Sequence, residues 1–194
     1  MYRILCDSYV LYDPRLPDLF VFEPELTQKK NEPGELTFKI PKEHPNYGVL
    51  EKLKSRIKVY RDDTLLWVGR AIEDDRDLYE NRKVIAEGAL SFLLDSVLRP
   101  FTFDGTAPEL FAWILTMHNA QVKENQRLTL GNCDISGSVS ATTKDYLSSW
   151  QTMKTCLLDS FGGYLIVRYD ENENPIVDYL SDVPDTSTQR IEFG

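Results

Sequence analysis

The chain has 194 residues, of which 42% are hydrophobic and 27% are charged, the composition of a folded globular protein rather than a disordered one. Its formal net charge of −9 argues against nucleic acid as the main ligand, because phosphate binding depends on clustered Lys and Arg. The longest apolar runs fall far short of the roughly 20 residues that a membrane-spanning helix needs, and the N-terminus lacks a signal-peptide pattern. We therefore expect neither a membrane segment nor a disulfide-rich secreted protein.

The first 90 residues have the pattern of short strands separated by Pro, Asp and Gly. Strands are predicted at residues 9–12, 19–22, 35–40, 55–61, 65–72 and 82–87. A short helix is predicted at residues 47–53, and the charged run from Glu73 to Asp77 is predicted to lie in the connection before the last strand. This pattern indicates antiparallel β structure, either a barrel or a sandwich.

After Gly88 the hydrophobic period changes from two to about 3.6, which favours helices. Helices are predicted at residues 89–98, 107–119 and 142–161, with residues 131–140 as a linker. Thr106 and Glu109 have the spacing of a capping box, and the helix that follows should bury Leu110, Trp113, Ile114 and Met117. A hairpin of residues 164–169 and 175–180 follows, and residues 189–193 begin a further strand. The second half is therefore α+β.

Side chains that could carry out chemistry are few and scattered. His44 and His118 lie far from any cysteine, so classical zinc spacings are absent. Residues 170–181 resemble the start of a calcium loop, but lack its central glycine and final glutamate. Cys133 and Cys156 have no evident base nearby in the sequence. We expect no catalytic residue, no metal and no cofactor.

Two charged segments are candidates for contacts with other molecules. In a strand, Lys54, Arg56 and Lys58 would share one face while Ile57 and Val59 face inward. A solvated strand face is the simpler interpretation, and a contact with DNA or another subunit is the alternative. The run from Glu73 to Asp77 is more simply a solvated connection than a cation or acid–base site.

Several of these segments together resemble a known family. The marks are residues 38–41, the strand at 54–61, the Trp67-Val68-Gly69-Arg70 strand and the Glu87-Gly88 exit, followed by GTAPELFAWILTMHNAQV at 105–122 and the segment 142–169. They are similar to the N-terminal region of siphophage minor tail proteins, the prophage endopeptidase tail or tail-associated lysin group. The resemblance covers nearly the whole chain, and its marks do not include a catalytic motif.

The resemblance implies an N-terminal antiparallel tube-like β-barrel domain at residues 1–98. A smaller α+β domain at 99–194 should follow, truncated before a second tube-like domain. It also implies a baseplate hub or tail-tip protein that forms a trimer, contacts the distal tail protein, the tail tube and the tape measure, and lets DNA pass. Such a protein would be assembled in the bacterial host cytoplasm and would end in the virion tail tip.

The same resemblance makes the two charged segments candidate interfaces, with the residues Lys54, Arg56, Lys58, Glu73, Asp74, Asp75 and Asp77. Any lytic activity of the family would belong to C-terminal domains, so the chain is not expected to be an enzyme. Two alternatives stay open: a cell-wall-degrading peptidase, and a carbohydrate-binding module that uses Tyr60 or Tyr79 as sugar platforms.

Overall fold

The computed structural model describes residues 1–183, so the strand predicted at 189–193 lies outside the described residues. The chain forms two compact units, the first of residues Met1–Gly88 and the second beginning at Ala89. The change from alternating to helical hydrophobic spacing after Gly88 falls at the same place. The assignment of residues 1–98 and 99–194 to two domains of the tail family stays a prediction.

Seven strands among residues 1–88 form one antiparallel sheet with the order β2-β1-β5-β6-β7-β4-β3. The strands are β1 (Tyr2–Cys6), β2 (Tyr9–Tyr12), β3 (Phe22–Thr27), β4 (Glu35–Ile40), β5 (Arg56–Arg61), β6 (Thr64–Arg76) and β7 (Arg82–Gly88). The sheet curls into a half-barrel, and the closed tube-like barrel that we predict is not shown by the described residues. At the β2 edge, the carbonyls of Val10 and Leu11 accept hydrogen bonds from the side chains of Asn46 and His44 instead of from another strand.

The core of the first unit lies on one face of this sheet. Ile57 and Val59 of β5 are fully buried there, as their alternation with polar residues predicts. Trp67 of β6 packs beside them and lies over Gly69 and Gly88, which are paired across β6 and β7. A Cβ atom on Gly69 would come within 2.3 Å of the indole, so glycine leaves the space that the ring fills.

Three predictions for the first unit are wrong. Residues 19–21 are not in a strand, and β3 spans Phe22–Thr27 instead of the predicted 19–22. The acidic run does not lie in a connection, because β6 continues to Arg76 and pairs with β7 beyond a bulge at Ala71/Glu73. The segment 47–53 forms turns instead of a helix. The guanidinium of Arg82 donates hydrogen bonds to the carbonyls of Tyr47 and Leu50, the groups that a helix would use for its own backbone bonds.

The second unit packs helices against small sheets. The described strands are β8 (Val97–Leu98), β9 (Phe101–Thr106), β10 (Thr129–Cys133), β11 (Ser138–Thr143), β12 (Leu147–Ser148), β13 (Tyr164–Tyr169) and β14 (Pro175–Leu180). The helices are α1 (Ala107–Asn119), α2 (Ser149–Met153), a π-helical turn (Lys154–Leu158) and α3 (Asp159–Phe161), with 3-10 turns at Ala89–Leu94 and Glu124–Gln126. Strands β10, β14 and β13 form a three-stranded sheet, while β11 pairs with β9 and β12 with β8.

The predicted α1 helix and the β13–β14 hairpin are confirmed. The backbone N–H of Glu109 donates to the Thr106 hydroxyl, and the Glu109 carboxylate accepts from the Thr106 backbone, which is the predicted capping box. Leu110 and Ile114 are buried as predicted, whereas Trp113 and Met117 are only partly buried. The helix therefore turns a slightly different face to the core.

Three other predictions for the second unit are wrong. Residues 89–98 form a 3-10 turn and a short strand, and residues 131–140 belong partly to β10 and β11 instead of to a linker. The helical segment that ends at Gly162 begins at Ser149, not near residue 142. Residues 138–143 pair with β9 instead, and this backbone pairing outweighs a local helical pattern.

Candidate interaction surface

The acidic segment occupies the far end of β6. In the register with β7, Glu73 lies opposite Ile85 and Asp75 lies opposite Lys83. Both acidic side chains are exposed. The strand pairing therefore holds a run of carboxylates along a defined backbone, at the end of the longest hairpin in the first unit.

Asp74 points to the other side of the strand and binds Arg82. Its two carboxylate oxygens accept from Nε and Nη2 of Arg82 at 2.8 and 2.5 Å. The guanidinium also donates to two backbone carbonyls and lies 5.5 Å from the centre of the Tyr47 ring. The Asp74 carboxylate raises the pKa of the Arg82 guanidinium further above its usual range. Asp74 is thus engaged inside the unit.

The loop between β6 and β7 is shaped by Asp77. Its carboxylate accepts hydrogen bonds from the backbone N–H groups of Tyr79 and Asn81 and from the Asn81 side chain, each at 2.9 Å. These donors, the Asn81 side chain above all, lower the pKa of the Asp77 carboxyl group. Glu80 pairs with Lys42, and its carbonyl accepts from the Tyr47 hydroxyl at 2.5 Å. The turn is therefore fixed by side-chain bonds at both ends.

The basic segment lies in the turn before β5 and in the strand itself. Arg56 and Lys58 are half-buried on the face opposite Ile57, as predicted from the alternation. Lys54 precedes the strand, and its ammonium group binds the carboxylate of Glu51 at 2.6 Å. The three side chains do not form a single strand face, because the chain turns before Arg56.

The two charged segments lie near one end of the same sheet. The backbone N–H of Leu53 donates to the carbonyl of Ala71 at 2.8 Å, so the turn that carries Lys54 lies against β6 two residues before Glu73. Arg56 pairs with Arg70 in the β5–β6 register, just before the acidic run begins. The fold thus places the basic turn and the start of β5 near the point on β6 where the acidic run begins. The function of the seven candidate residues as an interface stays a prediction.

The histidines sit inside the protein. His44 Nδ1 accepts from the backbone N–H of Asn46 at 3.0 Å, and Nε2 lies 2.9 Å from the Leu11 carbonyl. This arrangement fixes a neutral ring that donates from Nε2. Burial lowers the pKa of His44 and of His118. Both rings are therefore buried side chains that form hydrogen bonds inside the protein.

A serine–histidine contact in the second unit has the distances of a catalytic pair. Ser96 Oγ lies 2.8 Å from His118 Nδ1 and 2.7 Å from Ser149 Oγ, while His118 Nε2 lies 3.1 Å from the Gln126 carbonyl. All three side chains are almost fully buried, so a substrate has no path to the hydroxyl. The cluster satisfies polar groups within the core.

Within residues 1–183, the thiols and carboxylates form neither an activated thiol nor a cluster of metal ligands. Burial raises the pKa of Cys6 to about 11 and raises the pKa of Cys133, which keeps both thiols protonated near neutral pH. No group of three or more metal-ligating side chains occurs in this part of the chain. Its helices are also too short or too polar to cross a bilayer.

Comparison with solved structures identifies proteins of similar architecture. Prophage tail protein gp18 from Listeria monocytogenes EGD-e matches 92% of this chain at a TM-score of 0.55 and 14% identity. A tail protein from Neisseria meningitidis MC58 matches 91% at a TM-score of 0.58 and 11% identity. The chain shares the fold of two tail proteins. It spans half the length of each, since 50% of either protein is covered.

Comparison at the sequence level gives no match. No protein-family model matches the chain, and no curated protein is significantly similar to it. At 14% and 11% identity the structural similarity shows the fold alone. The predicted resemblance to minor tail proteins is thus confirmed in the architecture.

Two features of this surface were not predicted from the sequence. The strand pattern predicts Arg82 only as an ordinary strand residue, whereas Arg82 is the buried centre of the turn at 47–50. At the hairpin tip, Leu78 is not a predicted contact, whereas Tyr79 is predicted only as a sugar platform in the carbohydrate-binding alternative. The sequence contains a signal for both. Arg82 occupies an inward position in the alternation of β7, where an apolar residue is expected, and Leu78 and Tyr79 occupy turn positions that Gly, Asn or Asp normally fill.

Proposed function

We propose that the chain is a structural protein of the tail of a long-tailed bacteriophage or prophage. The observation that supports this is the shared fold, which extends over 92% and 91% of the chain in two tail proteins of low sequence identity. A fold can serve several functions, so the proposal also depends on what the surface offers. That surface has charged strands and an exposed hairpin, which suit broad protein contacts.

Within the tail we propose a position in the baseplate hub or tail tip, in contact with the tail tube, the distal tail protein and the tape measure protein. The net charge of −9 supports a component beside which DNA passes, because an acidic wall repels phosphates and does not retain them. Within residues 1–183 the seven-stranded sheet has β3 at one edge, and an edge strand suits pairing with a neighbouring protein. The full-length protein would act as a trimer in the virion tail tip, after assembly in the host cytoplasm.

The two charged segments are the proposed contacts of the first unit. Lys54, Arg56 and Lys58 form the basic part, and Glu73, Asp75 and Asp77 form the acidic part. Asp74 contributes indirectly, because its bond to Arg82 holds the end of β6 in place. Opposite charges at one end of a sheet can steer two partners into a single register.

The experiment uses the phage or prophage that encodes the chain. Its particles are purified and the protein is located in them by mass spectrometry and by immunogold labelling. We expect the label at one end of the tail, and its absence from intact tails would contradict the proposal. The double reversal Arg56→Glu and Lys58→Glu should reduce the number of complete tails. Reversal of Lys144, an exposed residue of the second unit, serves as the control.

We propose no lytic activity for these residues. The only serine–histidine contact within residues 1–183 is closed to solvent, and the thiols there do not form an activated pair. Purified chain incubated with peptidoglycan of the host should release no soluble fragments. Release that depends on Ser96 would overturn this part of the proposal.

A further inference from the structure

The tip of the β6–β7 hairpin carries two apolar side chains that the fold does not use. Leu78 is 99% exposed and Tyr79 is 82% exposed, the highest values among the large hydrophobic side chains of residues 1–183. Polar residues would build the same turn, since the bonds that fix it come from Asp77 and Asn81. An adjacent pair at such exposure therefore indicates a contact outside the chain.

The tip is held in one shape before any partner binds. Beside the bonds to the Asp77 carboxylate, the backbone N–H of Asp77 donates to the Asn81 carbonyl at 3.0 Å, and the N–H of Glu80 donates to the Asp77 carbonyl at 3.0 Å. Glu80 is anchored by Lys42 and Tyr47. A fixed apolar anchor loses little conformational entropy on binding, which is the property of residues that dominate interfaces.

The charge around the tip defines what the partner must present. Residues 73–80 contain five acidic side chains and one basic side chain, a net charge of −4. Glu73, Asp75 and Asp77 are exposed beside the apolar pair. A pocket that accepts Leu78 and Tyr79 would therefore have Lys or Arg at its edge, because acidic groups there would repel the hairpin.

Two cavities of the first unit do not meet this requirement. One is lined mostly by polar groups and includes the carboxylates of Glu32, Glu35 and Glu87. The other holds Arg3 and Arg15, whose guanidinium groups already bind aspartates. Neither cavity would attract the acidic hairpin of a second copy, which favours a different protein as the occupant.

We propose that Leu78 and Tyr79 insert into an apolar pocket, edged by Lys or Arg, on a different protein of the same particle. This inference rests on the proposed function, because it takes the partner from the tail. It goes further by assigning the contact to two residues and by stating the chemistry of the surface that receives them. The acidic side chains orient the hairpin, while the apolar pair supplies the binding energy.

The first test is site-specific crosslinking in assembled particles. A photoreactive phenylalanine replaces Tyr79 in the full-length protein, and the crosslinked residues are mapped by mass spectrometry. We expect adducts on apolar residues with Lys or Arg nearby, in a protein other than this one. The same group at Tyr146, another exposed aromatic residue, should not reach those residues. Adducts on a second copy of the chain, on an acidic surface, or on no protein would overturn the inference.

The second test measures affinity for the protein that the crosslink identifies. The double variant Leu78→Ser and Tyr79→Ser should bind it on the order of 30-fold more weakly or worse, as the loss of two central anchors predicts. Leu16→Ser, which removes another exposed leucine of the first unit, should bind normally. If the unmodified chain, the double variant and Leu16→Ser all bind equally, the assignment of the contact to Leu78 and Tyr79 is wrong.

These tests separate the inference from the proposed function. If the chain is present in tails and the tip neither crosslinks nor affects binding, the structural role stands and the inference fails. If the chain is absent from tails, the proposed function itself fails. Binding of the tip to glycans, tested with the Leu78 and Tyr79 variants on a host cell-wall array, would also overturn the inference in favour of a carbohydrate platform.

Discussion

The buried contact between Arg82 and Asp74 gives the sharpest test of how the first unit is held together. Asp74→Ala removes both carboxylate acceptors, at 2.8 and 2.5 Å, from a guanidinium group whose side chain is only 8% exposed. Loss of one partner from a buried ion pair costs about 3 to 5 kcal/mol. The Asp74 side chain is 21% exposed, so water reaches that side and we expect a loss of about 3 kcal/mol.

The measurement needs a signal from the first unit alone, since two compact units need not unfold together. Trp67 is the only tryptophan among residues 1–88, and the other two are Trp113 and Trp150. Urea unfolding is therefore followed by Trp67 fluorescence in a chain with Trp113→Phe and Trp150→Phe. The free energy of unfolding is compared with and without Asp74→Ala.

Two further variants decide the interpretation. Asp74→Asn keeps one oxygen acceptor for the guanidinium and should lose less stability than Asp74→Ala. Lys42→Ala removes an exposed ion pair of the same hairpin, with Glu80, and should leave the unfolding midpoint unchanged. A loss below about 1 kcal/mol for Asp74→Ala, or a similar loss for Lys42→Ala, would refute the view that burial makes this pair important.

Three other predictions concern stability. Burial lowers the pKa of His44 and of His118 in the folded chain. Below about pH 6.5, the histidine pKa of the unfolded chain, the unfolded chain therefore binds more protons than the folded chain. The free energy of unfolding should thus fall between pH 7 and 5.5, by up to about 1.4 kcal/mol per pH unit for each histidine, and a flat profile in urea titrations would contradict this. Gly88→Ala places a Cβ 1.9 Å from a backbone carbonyl oxygen and should cost about 3 kcal/mol, whereas Gly48→Ala meets nothing within 4 Å and should be tolerated; equal melting temperatures would count against the packing. Thr106→Ala removes the helix cap and should cost about 1 kcal/mol in thermal unfolding, while Thr106→Ser should not.

Local signals in the sequence predict the elements whose partners are close by. The Thr106 and Glu109 cap, the strand at 35–40 and the β13–β14 hairpin all depend on residues within one turn or on strict alternation, and each is confirmed. Failures occur where a distant group decides the backbone. The segment 47–53 has helical spacing, but its carbonyls bind Arg82, which is more than 30 residues away.

The same limit applies to the candidate surface. The alternation in β5 predicts which side chains point outward, and this is enough to place Arg56 and Lys58. It does not predict that β6 continues through its acidic run. The carboxylates lie on two faces of a strand only because this segment pairs with β7, which supplies Arg82 and Lys83. Nor does it predict that Asp77 fixes the loop, although an Asp followed by an Asn four residues later is compatible with that role.

The internal bonds of Asp74 and Asp77 change how the acidic run should be interpreted. In a flexible connection, four neighbouring carboxylates would repel one another and would favour an extended, solvated chain. Here Asp74 is neutralised by Arg82 and Asp77 accepts three hydrogen bonds, so two of these charges stabilise the hairpin that carries the others. What projects is a rigid strand end with Glu73 and Asp75 outside and an apolar tip. Such an arrangement suits recognition by another protein better than binding of a cation, because its exposed carboxylates do not converge on a common centre.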